Sequence, residues 1–497
     1  MDKKANSSIK RRTFIKALPV LGAGLTAFPY IRCGKLSDVP MKRPFARLNH
    51  EVTTLGLGGQ ASLQWTPSDV DPVPIILKAF DLGVNYFDTS NLYGPSQTNY
   101  GKAFTQLDLI PGKAGYNESL RRSIFLTSKT HLRMGKGSSA LEHVNNWTNG
   151  DGIGAVDDLK RSLSQIFGDG KGGYPKGAYL DMILLHSMSS MNEVEAVYTG
   201  LYDTDASAEQ IGALAALRDY RDGTNLTGLN PKEEKLVRHI GFSGHYSPPV
   251  MMDLIQRDTE NVLDAVLVAV NSNDKFYFNM QNNLLPIASA KNMGIIGMKV
   301  FADGAMYSKG AHWSREPKHV VRTVGSPELE SAPLVRYTLT TPGVHTVIIG
   351  IGQINNDPAK CQLKQNYAAA QVAPEDMTQN ERAALEQRTK QVKGSKTNYF
   401  QREYVPLSAP RNPGAVHQRG KGVQLEWDTA FAGQHPLDHY EIWRNEEKIG
   451  EIQHQPQATR KPFQFIDTNW TDNSCRYTLV SVDTSGLRAE TEPIKLS

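Results

Sequence analysis

Eight short apolar runs, separated by stretches of helical spacing, constrain this chain more than any other feature of its sequence. The runs occupy residues 54–58, 84–88, 124–129, 182–186, 239–243, 265–271, 295–300 and 346–350. Each is five to seven residues long, and most are rich in Val, Ile, Leu or Phe, as strands buried on both faces should be. Between them, residues 73–82, 153–167, 208–220 and 283–292 repeat their apolar positions with a helical period. Eight such alternations over about 300 residues predict an α/β fold, a (β/α)8 TIM barrel. The alternative is a doubly wound sheet, suggested by Gly56-Leu57-Gly58-Gly59. Its dinucleotide fingerprint lacks the third glycine, since Leu63 stands two past Ala61 there, and the strand count favours the barrel.

The barrel leaves much of the 497 residues unassigned, which calls for further segments. The first lies at the N-terminus. Ser8 precedes Ile9-Lys10-Arg11-Arg12-Thr13-Phe14-Ile15-Lys16, and a weakly apolar run follows to Ile31. This order of paired arginines, phenylalanine and apolar run over residues 1–34 resembles a twin-arginine export signal, read by a translocase that carries folded cargo. A basic tail before an amphipathic helix is the plainer alternative. Cys33 raises the question of lipidation, although Arg32 before it is a poor fit. The net charge of +4 depends on this segment, where seven Lys and Arg face Asp2 alone and contribute +6; the remainder carries −2. No basic surface is left that would suit nucleic acid. Three cysteines exclude a disulfide scaffold or a Cys-rich metal domain, and no metal site is expected.

Barrel enzymes hold their reactive groups at the C-terminal ends of the strands. Here Asp88, Lys129 and His186 end the second, third and fourth runs, and Tyr93 lies five residues beyond Asp88. Singly, each has an ordinary role: a helix cap, a solvated lysine, a core histidine, a packed tyrosine. Their joint placement on one rim points to chemistry.

The motifs around these residues resemble the aldo-keto reductases. Asp88-Thr89-Ser90-Asn91-Leu92-Tyr93-Gly94, Leu126-Thr127-Ser128-Lys129 and Leu184-Leu185-His186 carry the likeness. Gly241-Phe242-Ser243-Gly244-His245, Gly297-Met298-Lys299-Val300 and Val347-Ile348-Ile349-Gly350 continue it in the family's order, over about residues 43–375. The resemblance implies a barrel that binds NAD or NADP and interconverts carbonyls and alcohols. Reduction at a carbonyl carbon leaves charge on oxygen, which needs a proton donor and electrostatic support. Tyr93 would be the general acid in reduction and the base in oxidation. Lys129 would supply a nearby cation that lowers the phenol pKa, Asp88 would hold Lys129, and His186 would orient the carbonyl oxygen.

The resemblance also implies cofactor contacts at Gly59, Asp88, Ser243, Gly244, Asn271, Phe301, Gly350 and Gly352, with Phe301 as the ring-stacking aromatic. Two places depart from the family. Gly244 stands where an asparagine often grips the nicotinamide amide, and the glutamine place of the sixth strand falls near Leu267. After Gly350, the run Ile351-Gly352-Gln353-Ile354-Asn355-Asn356 offers no cation before Lys360 to clasp a 2′-phosphate, which leans the choice towards NADH. A related branch carries a C-terminal iron–sulfur module; Cys361 is alone in its region and excludes it here. Two connections are long, residues 205–235 and 302–331. The second, with His312, Trp313, Arg315 and His319, is expected to overhang the rim and set substrate choice.

The barrel is assigned to residues 43–400 and a Pro-rich linker to 401–412. Residues 413–497 alternate without helical stretches, as in 423–427, 439–444 and 476–482, with a hairpin turn at 445–448. They predict a β-sandwich that resembles a fibronectin type III module, with Trp427 and Tyr477 in its core. The functional expectation is an exported, periplasmic or envelope NAD(P)-dependent oxidoreductase acting on a carbohydrate-like or glycan-derived small molecule. Export implies a tightly bound cofactor in a closed redox cycle, which could also serve elimination or epimerisation. Its membrane contacts would be limited to the signal segment or a lipid on Cys33. The alternative is a reductase-like barrel that binds surface glycans without turnover.

Overall fold

The computed structural model describes residues 39–137, 154–307, 309–470 and 474–496. The export signal expected over residues 1–34, with Cys33, lies outside the described residues. No helix among the described residues is long and apolar enough to cross a membrane.

The eight apolar runs form one closed parallel barrel in sequence order. Its strands are Leu55–Gly58, Tyr86–Asp88, Phe125–Thr130, Leu180–Leu185, Val237–Gly244, Ala265–Ala269, Gly294–Met298 and Thr346–Gly350. The last pairs with the first, Val347 opposite Leu55 and Gly350 opposite Gly58. Because the strands are buried on both faces, their inward side chains fill the centre: Tyr86, Phe125, Met182, Leu184, Leu267 and Ile296. A hairpin of Lys42–Pro44 and Glu51–Thr53 covers the N-terminal end. It drives Phe45 into that centre, edge-on to Tyr86 at 6.0 Å and to Phe125 at 5.3 Å. Gly294 makes room for it, since a Cβ there would lie 2.8 Å from Phe45 Cζ. One end of the barrel is thus plugged, and a ligand can enter only from the other.

Helices such as Val73–Asp81, Ala155–Phe167 and Leu284–Ala290 pack around the strands where the periodicity predicted them. The stretch predicted over 208–220 becomes helical only at Ala213–Asp222. Before it, Ile211–Gly212 pairs antiparallel with Met134–Lys136, so a local strand overrides the helical spacing.

After the helix Gln379–Lys393 the chain becomes all-β. Arg411–Gln418, Gly422–Asp428 and Phe463–Asp467 form one antiparallel sheet. Glu447–Gln453, Leu437–Arg444, Tyr477–Asp483 and Arg488–Glu490 form a second. Both sheets contribute to one core, in which Trp427, Tyr440 and Tyr477 are fully buried, so these aromatics serve packing. Asn445 and Glu446 both take positive φ, the geometry of a tight two-residue hairpin turn.

The β region is fastened to the barrel by side-chain amides. Asn279 and Asn282 donate to the Gly433 carbonyl at 2.9 and 2.7 Å, and Asn283 exchanges two 2.9 Å hydrogen bonds with the Ala432 backbone. The segment expected as a linker is packed rather than free. Arg402 accepts a hydrogen bond from the Phe278 amide, and Tyr404 stacks on the Phe278 ring at 4.0 Å.

Candidate active site

A cleft with about 950 Å³ of empty space opens at the C-terminal end of the barrel. Asp88, Tyr93, Lys129 and His186 meet at its floor. Lys129 and Asp88 are 1% exposed, and the lysine Nζ donates to Asp88 Oδ1 at 2.6 Å and to the Thr89 carbonyl at 2.8 Å. Burial pushes the Asp88 carboxyl up and the Lys129 ammonium down, each offset by the other's charge. The ammonium also sits 4.7 Å from the centre of the Tyr93 ring.

The lysine was expected to lower the Tyr93 pKa. In this geometry burial, with the Asp88 charge beside it, pushes the phenol well above its usual value. The physical reason is the placement of the cation, which faces the ring rather than the hydroxyl and is already engaged by Asp88. Tyr93 is therefore protonated at neutral pH.

His186 packs edge-on to Tyr93 at 5.7 Å, and its Nδ1 lies 3.3 Å from Ser90 Oγ. Burial, then the nearby positive groups, lower its pKa well below the usual histidine range, so the ring is neutral. Ser90 Oγ accepts the Leu92 amide proton at 3.2 Å and has its own proton to give. With that proton given to Nδ1, the neutral ring carries its own proton on Nε2 and can donate from there. Two buried devices hold these residues. Arg133, paired with Glu193 at 2.8 Å, donates to the His186 carbonyl at 2.7 Å. Asn91 donates to the carbonyls of Lys129 and Asp158 and to Ser162 Oγ, tying the Tyr93 loop to the third strand.

Of the cofactor candidates, Gly59, Ser243, Phe301 and Gly350 line the cleft along with Asp88. Gly59 is a glycine because of a close approach: a Cβ would meet the Asp88 carbonyl and lie 2.8 Å from Thr89 Cα. Gly59→Ala is expected to cost about 1–3 kcal/mol by overpacking and to displace Asp88, read as a lowered melting temperature. Gly244, Asn271 and Gly352 do not line the cleft. At Gly244 the space is taken by Met251 and the Met188 carbonyl. Asn271 donates to the Lys299 carbonyl at 3.1 Å and accepts the amides of Asn273 and Asp274. Gly352 gives its amide to Gln362 Oε1 at 2.8 Å and lies against Val321. These three stand behind the lining residues rather than on the cleft surface. Met298 ends the seventh strand and lines the cleft, and Phe301 does so three residues later.

Four groups at the mouth were not recognised as site residues from sequence: Gln60, His245, Lys299 and the segment around Tyr399 and Phe400. The sequence signal for Lys299 was a lysine within the seventh apolar run, in the motif Gly297-Met298-Lys299-Val300. Trp313, on the connection expected to overhang the rim, lies 6.3 Å from the His245 ring and 5.8 Å from the Tyr399 ring. Phe400 adds a contact to His245 at 5.4 Å. Tyr399 and Phe400 thus stand beside Trp313 and His245, and Gln401 pins them by donating to the buried Asp274 at 2.5 Å. Burial raises the Asp274 carboxyl to about 7. A carboxyl whose folded pKa exceeds its unfolded value holds its proton better when folded, so its contribution to stability falls as pH rises from about 4 through about 7. Asp274→Asn is expected to flatten that part of the melting temperature's pH profile, with the largest gain over the native chain above about pH 7.

The family is decided by the sequence of the barrel itself: residues 54–379 match the model of the Aldo/keto reductase family. The chain belongs to the aldo/keto reductase family. The match spans all eight barrel strands and all four rim residues, so the chain is an aldo-keto reductase-type oxidoreductase. The chain is similar at low identity to solved aldo-keto reductases. One from Bacillus halodurans, in its holo form, is 17% identical over 72% of this chain and 96% of its own, with a TM-score of 0.42. One from Klebsiella pneumoniae, in complex with NADP and acetate, is 16% identical over 74% of this chain and 100% of its own, with a TM-score of 0.41. No curated protein sequence matches the chain.

Proposed function

We propose that this aldo-keto reductase reduces the carbonyl group of a carbohydrate-like substrate with a nicotinamide dinucleotide, NADH in preference to NADPH. The observation that carries the reading is the meeting of Tyr93 and His186 on one cleft floor beside the buried Lys129–Asp88 pair, with the phenol protonated and the imidazole neutral. The cleft suits the dinucleotide: Leu267, Met298 and Ile348 give an apolar floor for a flat ring, and the lining extends through Phe301 and Gly350 to Val321 and Gln362. Bound in reduced form, the cofactor would supply the hydride. Leu267, Met298 and Phe301 would hold the nicotinamide, and the glycine backbones at Gly59 and Gly350 allow close approach.

The chain's own residues handle the proton. His186 Nε2 would donate to the carbonyl oxygen and aim it, and the Tyr93 hydroxyl would deliver the proton as charge develops there. At neutral pH Tyr93 rests in the form that gives a proton, as reduction requires, and because burial weakens it as an acid the transfer depends on the charge that develops on the substrate oxygen. The preference for NADH is supported by the segment after the eighth strand, where the lysine nearest in sequence, Lys360, is exposed and faces Asp357 at 3.8 Å.

The reading includes export to the cell envelope through the twin-arginine route, on the strength of Arg11, Arg12 and Phe14. It also takes the C-terminal sheets as a fibronectin type III-like module, supported by the core around Trp427 and Tyr477. The test is consumption of NADH or NADPH by the full chain offered a panel of aldoses. Failure to take up either dinucleotide would refute it. A second reading, a barrel that binds glycans without turnover, is favoured by apolar Leu267 in a place the family often makes polar. Glycan binding with no dinucleotide uptake would select it.

A further inference from the structure

His245 lines the cleft with Tyr93 and His186, yet the proton transfer leaves it unused. Its Nδ1 lies 3.3 Å from the Oγ of Ser187, the neighbour of His186, and among the described residues nothing else hydrogen-bonds the ring. Burial first, then the charges of Lys299, Lys129 and His131, lower its pKa to about 3, so the imidazole is neutral. The ring is also a partition. On its far side a second space of about 240 Å³ lies among Ala269, Asp274, Tyr277, Phe278, Phe400 and Gln401. Of the residues around that space, only His245 also faces the cleft. Phe400, itself 3% exposed, backs the ring from this side, with 5.4 Å between ring centres.

Phe400 belongs to no helix or strand, so its neighbours set its place. Gln401 donates to Asp274 Oδ1 and accepts the amides of Thr397 and Asn398 at 2.7 and 3.2 Å. Phe278, on which Tyr404 stacks, also meets Phe431 at 5.3 Å, in the segment after the strand Gly422–Asp428. That segment closes on both elements. The Phe431 amide donates to Ser408 Oγ at 2.7 Å, and the Ala432 and Gly433 carbonyls take the side-chain amides of Asn283, Asn279 and Asn282. A Cβ on Gly433 would lie 2.6 Å from the Pro406 carbonyl carbon, so glycine lets the chain that leaves the barrel pass against it. Residues 278–283, 397–408 and 431–433 therefore pack as one unit. The family's model ends at residue 379, so Phe400 and its support come from this chain's own extension.

We infer that the C-terminal β region completes the substrate wall of the reductase: through residues 397–404 it seats Phe400 behind His245, and His245 presents Nε2 to a hydroxyl of a polyhydroxy carbonyl substrate whose carbonyl His186 holds. The inference rests on the reading of the cleft as a reductase site. His245 sets specificity, and Phe400 acts through it as a positioning residue. A neutral ring suits the task, since it makes one directed hydrogen bond without a charge to repel Lys129. Without Phe400 the ring can swing back, the second space joins the cleft, and water reaches both faces of the imidazole.

The test compares the native full-length chain with Phe400→Ala, Phe400→Leu and Asn283→Ala. At pH 5, histidine-selective NMR should find His245 neutral in the native chain and largely protonated in Phe400→Ala, because hydration returns it towards the ordinary value of about 6.5. Asn283→Ala should move it in the same direction, and Phe400→Leu, which keeps most of the apolar volume, should stay near native. With the fastest-reduced of D-glucose, D-galactose and D-xylose, KM should rise at least about fivefold in Phe400→Ala and at least about twofold in Asn283→Ala, with kcat within about twofold. Dinucleotide affinity should change by less than about twofold. Should Asn283→Ala fail to fold, Phe431→Ala takes its place, removing a ring on the β side of the same contact.

A His245 that stays neutral at pH 5 in Phe400→Ala, or an unchanged KM, overturns the inference. An effect of Phe400→Ala that the Asn283 or Phe431 variant does not share overturns it as well, by freeing the wall from the β region. An equal loss of dinucleotide affinity gives His245 to the cofactor and has the same force. The two readings fail separately. A chain that reduces aldoses with His245 and KM indifferent to these variants loses only the wall. A chain that takes up no dinucleotide, yet shows His245 responding to both Phe400→Ala and Asn283→Ala, keeps the support and loses the reductase.

Discussion

Tyr93→Phe lowers carbonyl reduction by about a thousandfold, the scale of a lost general acid, while dinucleotide affinity stays within about twofold. The substitution removes one oxygen. The ring keeps its edge contact with His186 and its place beside the Lys129 ammonium, so the fold around it has no reason to change. What disappears is the proton that burial holds on the phenol. Single-turnover kinetics check this: the slow step should move to chemistry, with binding phases preserved. A variant that reduces substrate at near-native rate would move the acid elsewhere, with His186 the next candidate.

The second large effect concerns the pair beneath that ring. Lys129→Met leaves the Asp88 carboxyl, 1% exposed, without its cation. Breaking such a pair on one side costs about 3–5 kcal/mol, because the remaining charge stays buried. Asp88 would respond by holding its proton to higher pH than it already does. A raised carboxyl pKa lowers stability as pH rises, so the variant should melt closest to the native chain in acid and farthest from it near neutrality. The double variant with Asp88→Asn should recover most of the lost stability and none of the lost reduction. Thermal melts across pH, paired with turnover, separate the structural share of Lys129 from its chemical one. A single variant as stable as the native chain at neutral pH would show that water, not the lysine, answers Asp88.

The barrel was legible because strands buried on both faces are apolar along much of their length, and most of the eight runs from 54–58 to 346–350 had that signature. The rim tetrad was legible for a related reason: an ionisable residue ending such a run stands out. The helix predicted from residue 208 was misplaced because Ile211–Gly212 found a strand partner at Met134–Lys136, a pairing that local spacing does not encode. Gly244, Asn271 and Gly352 were assigned by position along a motif, whereas facing the cleft depends on which neighbour fills the adjoining space; Met251, Lys299 and Gln362 decided that. The electrostatics of Tyr93 were misjudged because sequence gives the distance between residues along the chain and not which face of a ring a cation meets. The mouth was the least legible part. Trp313, Tyr399 and Phe400 come from two connections without regular structure, and the Asp274–Gln401 hydrogen bond that pins one of them joins residues 127 apart.

The central claim is that this cleft holds a nicotinamide dinucleotide beside Tyr93 and His186. Native mass spectrometry of the purified full chain, before and after incubation with NADH and NADPH, tests it most directly. One dinucleotide per chain is expected, retained or taken up, with NADH held in preference to NADPH. A folded chain that carries no dinucleotide and accepts neither would contradict it.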